Sequence, residues 1–216
     1  MPAFGRIVQH DEKSRLYQAP QAHTQRSVLW PHDAPVLDQG NLGSCTGNAL
    51  AQAINTDYFA KCRNRYLTEH DAVDLYSAAT RVDDAPGVYP PTDTGSSGLA
   101  VCKAGVKAGY LSGYRHTFSF SAFTGALQLS PVIVGVNWYD DMMTPDKRGF
   151  VHPTGALAGG HEFLALGVNY ELSILTFLNS WSDKWGIGGR FYMSFGDFAS
   201  LLADRGDATV PLPVRS

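Results

Sequence analysis

Residues 38–54, DQGNLGSCTGNALAQAI, decide how this chain is read. A run of turn residues gives way at Cys45 to a segment of small residues. Leu50, Ile54 and Tyr58, with Ala53 beside them, recur at a spacing that predicts a helix over about 45–62, with Ser44 as its N-cap. Cys45 would then open a helix, where unpaired N–H groups and their partial positive charge favour thiolate over thiol. Taken alone, the residue also reads as a small buried thiol in a tightly packed helix.

The rest of the chain bounds the choice. With 216 residues, 44% of them hydrophobic, it is long enough for one well-buried domain or for one domain folded as two lobes. A formal net charge of -3 argues against a nucleic-acid surface or an anionic-membrane binder. No apolar run is long enough to span a bilayer. The opening MPAFGRIVQHDEKSRLYQ lacks the apolar centre of a secretory signal. Cys45, Cys62 and Cys102 form neither a disulfide framework nor a zinc spacing, so no metal or other cofactor is expected and a reducing, cytoplasmic compartment fits best.

Residues 1–26 are polar without an apolar period and read as a tail or an extended wrap. Thr68 followed by Asp71 is a capping-box signature for a helix whose buried face is Ala72, Tyr76 and Ala79. Leu99, Cys102 and Val106 mark a further helix, ended by Gly109. The second half changes character. PVIVGVNW, GGHEFLALGV, LSILTFLNSW and GRFYMSF are short runs rich in β-branched and aromatic residues, with no helix of useful length expected between them. The class is α+β: a helical lobe over about 27–115, an antiparallel sheet or barrel over about 116–216, and a cleft between them.

Three motifs then occur in order. QGNLGSC resembles the active-site loop of the papain-like cysteine peptidases, in which a glutamine lies six residues ahead of the nucleophile, as Gln39 does to Cys45. GGHEFLALGVN resembles the strand carrying the family's histidine, here His161. LNSWSDKWGIGGRFYMSF resembles its Asn-Ser-Trp segment, here Asn179 and Trp181 with Trp185 downstream. The resemblance covers roughly 27–200 and implies the papain-like two-lobed fold.

It also implies roles. Cys45 attacks an amide carbonyl, His161 serves as general acid and base, and Asn179 orients the imidazole. Gln39 joins the Cys45 amide in an oxyanion hole. Trp181 shields the His–Asn bond, and Trp185 supports it. Gly43, Ser96 and Ser97 would run beside an extended protein or peptide substrate. Gly135 and Gly160 would line the pocket for the second residue before the scissile bond, which small residues make roomy and weakly charged. Glu162 follows the histidine, and strand alternation would turn it away from the cleft.

Leu42 stands where the family usually has a disulfide cysteine, and Thr46-Gly47 stand where an aromatic residue is common. Only 44 residues precede Cys45, so a compact bacterial or phage-type member is expected, with its own tail covering the cleft in place of a long pro-segment. Peptide and isopeptide hydrolysis both fit. So do a cell-wall amidase or acyl transferase of the same chemistry, and a silent member that only binds. The sequence leaves the oligomeric state open. Cys62 and Cys102 read as core thiols, and the histidines other than His161 as solvated surface.

Overall fold

The computed structural model describes residues 3–22, 24–60 and 65–214. Its helices are α1 (Cys45–Ile54), α2 (Asp57–Ala60), α3 (Glu69–Ala79), α4 (Gly98–Lys107), α5 (Phe120–Leu127) and α6 (Phe195–Ala203). Its strands are β1 (Val28–Leu29), β2 (Leu111–Thr117), β3 (Val132–Tyr139), β4 (Leu157–Asn169), β5 (Ile174–Leu178), β6 (Arg190–Ser194) and β7 (Asp207–Pro213). They form one antiparallel sheet in the order β2-β7-β3-β4-β5-β6, with β1 added against β4.

The predicted first helix is shorter than its pattern. It stops at Ile54 because the Asn55 side chain is taken by Leu67: Asn55 Nδ2 donates to the Leu67 carbonyl and Oδ1 accepts the Leu67 N–H. The Asp57 N–H turns to Pro31 O, and α2 starts on a new line. Cys62 lies outside the described residues. Ser44 occupies the N-cap position, but its hydroxyl donates to Asn48 Oδ1 instead of capping. Gly47 has a packing reason: a Cβ there would lie 2.1 Å from the Ala72 carbonyl, so only glycine lets α3 cross α1 this closely.

Helix α3 begins at Glu69 with Asp71 Oδ2 accepting the Thr68 N–H, and it buries Ala72, Tyr76 and Ala79. Helix α4 buries Leu99 and Cys102, but Val106 is 37% exposed, against expectation. The β half carries two helices that strand-like runs concealed. Ser119 and Ser194 accept the N–H of the residue three positions on and so start α5 and α6. Strand β7 was also hidden, because Pro211 and Pro213 break its strand signal.

The sheet is buried on both faces. One face, with Val134, Phe163, Phe177 and Phe191, packs on Phe123 of α5 and Phe198 of α6. The other, with Ile133, Leu164, Leu166 and Leu178, packs on Leu50, Leu75 and Val101 of the helical half. From His161 to Leu166, ahead of the register shift near Gly167, odd residues of β4 therefore face the aromatic core and even ones face the helices. That parity decides the site.

Candidate active site

Strand β4 presents His161 on its aromatic side. The ring is fully buried, stacked on Trp181 with centroids 4.7 Å apart, and edge-on to Trp138 at 5.0 Å. Trp185 lies edge-on to Trp181 at 5.1 Å and donates its indole N–H to Met143 O. His161 Nε2 is 2.7 Å from Asn179 Oδ1. The same Oδ1 accepts the Ser180 N–H at 2.8 Å, so it is the amide oxygen and Nε2 must be the donor. In the neutral ring the lone pair therefore sits on Nδ1, which is buried and has no hydrogen-bond partner within the described residues.

Cys45 begins α1 across from this strand and is fully buried. The backbone N–H groups of Glu162, Gly5 and Thr46 favour its thiolate. Burial, reinforced by Glu162, nevertheless pushes the thiol up to about 12. Burial likewise lowers His161 to about 4, with the Asn179 bond pulling weakly the other way. As the site stands, both groups are neutral near pH 7.

What dries the site is the chain's own start. Gln39 is held by Ser180, whose hydroxyl donates to Gln39 Oε1 at 2.7 Å, and Gln39 Nε2 donates to the carbonyls of Ala3 (3.0 Å) and Leu42 (2.9 Å). Phe4 packs edge-on to His161 and Trp181. Gly5 O accepts the Ser96 N–H and the Ile7 N–H donates to Ser96 O, both at 2.7 Å, while the Arg6 N–H donates to Gly160 O at 3.0 Å. Gly5 lies so close to Gly43 that a Cβ on it would be 1.8 Å from the Gly43 carbonyl oxygen. Gly43 in turn donates its N–H to Asp93 Oδ2, and Asp93 accepts from the Tyr76 hydroxyl. Ser97 caps α4 instead, accepting from the Ala100 N–H and donating to Gln9 Oε1.

The pocket beside the cysteine differs most from expectation. In the register of the sheet, Gly135 of β3 stands opposite both Glu162 of β4 and Asp207 of β7. Directly opposite residues share a face, so the two carboxylates flank a position without a side chain. Glu162 does not turn away: alternation sends it from the His161 face to the helix-facing side, and the pocket lies on that side. The Arg6 guanidinium occupies the gap, bonding Asp207 and the Arg205 carbonyl. The pocket is therefore strongly charged. Two further histidines, His32 and His116, are buried and not solvated.

The structure brings the expected Gln39, Cys45, His161, Asn179 and Trp181 together. It adds Trp138, Arg6, Asp93 and Asp207, which carry no local signal in the sequence and are assembled by strand register and chain path. No His/Cys/Asp/Glu cluster suited to a metal occurs among the described residues, and no helix among them is long and apolar enough to cross a membrane.

No family model matches the chain. A peptidase C1-like protein of Acanthamoeba polyphaga mimivirus is 26% identical over 212 residues, covering 79% of this chain and 68% of that one. A cathepsin B-like cysteine proteinase of Schistosoma japonicum is 22% identical over 235 residues, covering 81% and 69%. Among solved structures, xylellain, a cysteine protease from Xylella fastidiosa, superposes with a TM-score of 0.80 at 18% identity, over 99% of this chain and 97% of that one. A cysteine protease of Carica candamarcensis, solved in complex with E-64, gives 0.64 at 16% identity, over 89% and 100%. In fold the chain is papain-like, and in the order of its motifs and in these relatives it is similar to the papain-like cysteine peptidases.

Proposed function

We propose that the chain hydrolyses peptide bonds through an acyl-thioester on Cys45. The observation that carries this reading is the fixed tautomer of His161: Asn179 and Ser180 together keep its Nε2 protonated and leave the Nδ1 lone pair free. Nδ1 takes the thiol proton as the sulfur attacks the carbonyl carbon. It then delivers that proton to the departing amine, and the C–N bond breaks. Water, losing a proton to Nδ1, attacks the thioester and releases the acid and the thiol. Gln39 Nε2 and the Cys45 N–H would hold the oxyanion, with Gln39 kept in place by Ser180.

The N-terminal residues are the resting occupant of this cleft. The Ala3 carbonyl takes the Gln39 donor that a scissile carbonyl would use. Arg6, three residues later, fills the pocket that the family resemblance assigns to a residue before the scissile bond. The tail therefore runs opposite to a substrate, which is why it would cover the nucleophile without being cut. Casein and internally quenched peptides, tested against isolated cell-wall peptide and isopeptide-linked substrates, decide the bond class. Cleavage of linear peptides that Cys45→Ser abolishes is expected. Turnover of cell-wall or isopeptide substrates alone would replace this reading.

A further inference from the structure

We propose that the pocket between β3, β4, β7 and α4 selects an arginine side chain in the substrate, at the residue that precedes the scissile residue. The proposal rests on the peptidase reading above and names its substrate class.

Three strands place Asp207, Gly135 and Glu162 in one line across the sheet. Because Gly135 has no side chain, a space opens between two carboxylates. The point where its Cβ would stand is 2.5 Å from Glu162 Oε2, 3.0 Å from Asp207 Oδ2 and 2.7 Å from Arg6 Nε. Gly98, first residue of α4, closes the space from the helical side: a Cβ there would be 2.5 Å from Glu162 Oε1 and 3.3 Å from Asp207 Oδ1. Both carboxylates thus sit against a helix start, which favours negative charge. Burial and the neighbouring Asp207 raise Glu162 well above the ordinary carboxylate range, and Arg6 opposes that rise. A cation is therefore the ligand whose arrival relieves the pocket.

The occupant already present supports a guanidinium. Arg6 has a fully buried side chain, paired with Asp207 and the Arg205 carbonyl. The fit is incomplete, because Arg6 Nη1 and both Glu162 oxygens are buried without hydrogen-bond partners among the described residues. The tail reaches the pocket along a chain running opposite to a substrate and satisfies one carboxylate only. A substrate arginine entering from the other direction can engage both, since a guanidinium offers five N–H donors in a plane. A leucine would leave the buried Glu162 and the half-buried Asp207 carboxylates unmatched, and a glutamate would add a third.

The test uses blocked dipeptide coumarin amides that differ only in the residue before last: arginine, lysine, citrulline, leucine or glutamate. Citrulline keeps the shape of arginine and removes its charge. They are offered to the full-length chain and to full-length Gly5→Ala, whose tail cannot seat against Gly43. The arginine amide is expected to exceed the citrulline amide in kcat/KM by about 10- to 150-fold, the range of a charge-assisted hydrogen bond. Lysine should fall between them, and glutamate should be cleaved least. Asp207→Asn and Glu162→Gln should each reduce the arginine-to-citrulline ratio. Equal cleavage of the arginine and citrulline amides overturns the pocket and leaves the peptidase reading standing. Cleavage of no amide by either chain overturns the peptidase reading, and this proposal with it.

Discussion

Replacing Gly5 by alanine should uncover the nucleophile. The added methyl group would begin 1.8 Å from the Gly43 carbonyl oxygen, 2.4 Å from its carbon and 2.6 Å from its Cα. All three are backbone atoms of a loop pinned by Asp93, so no side chain can swing aside to make room. The tail must lift. Lifting breaks the Gly5–Ser96, Ile7–Ser96, Arg6–Gly160 and Ala3–Gln39 bonds, each between 2.7 and 3.0 Å. At about 0.5–1.5 kcal/mol apiece they hold the covered state by about 2–6 kcal/mol, or about 30- to 10⁴-fold. The backbone freedom regained on release offsets part of this, so the lower end is the expected effect. Iodoacetamide alkylation of Cys45, followed by mass spectrometry, reads access directly and needs no substrate. Gly196→Ala serves as the control, because its new Cβ would meet only Ser194 Oγ, at 3.8 Å. Cys45 should react about 30-fold faster in Gly5→Ala than in the parent or the control. Equal rates in all three chains would refute the covering role of the tail.

Other outcomes follow from the same geometry. With Cys45 pushed up to about 12 and His161 down to about 4 by burial, the parent chain should resist alkylation until strongly alkaline pH. Gly5→Ala should react near neutrality, so superimposable pH profiles would contradict this. In the uncovered chain, His161→Ala should lower kcat/KM by about 10²–10⁴-fold, and Asn179→Ala by about 10- to 150-fold, measured on any cleaved peptide. His32 has both ring nitrogens buried without hydrogen-bond partners among the described residues, and burial, then Arg190, lowers it to about 4 from 6.5. The folded state refuses a proton that the unfolded chain binds. Its stability should therefore fall as pH drops from about 6.5 towards about 4, by about 3 kcal/mol at most, and urea midpoints for His32→Leu should lose that part of the slope. Phe163→Ala, emptying a fully buried site between Trp138, Phe177 and Phe191, should cost about 3–5 kcal/mol in urea unfolding.

The sequence by itself determined what is local in the chain. Cys45 at a helix start, Gly109 beyond the end of α4, the capping pair Thr68–Asp71 and the four runs of β-branched and aromatic residues are each set by neighbours a few residues apart. The order of the three motifs was legible for the same reason. Tertiary structure alone decided the rest. Alternation along β4 distinguishes two faces but does not say that both are buried, and so it could not show that Glu162 turns into a pocket and not out to solvent. The charge of that pocket needs Asp207, from a strand broken by prolines, brought level with Gly135 by register across the sheet. The end of α1 at Ile54 depends on Leu67 claiming the Asn55 side chain from twelve residues away. The first residues of the chain, polar and without period, carry no pattern of their own. Only the cleft, with its donors at Gln39 and Ser96 and its paired carboxylates, gives them a path.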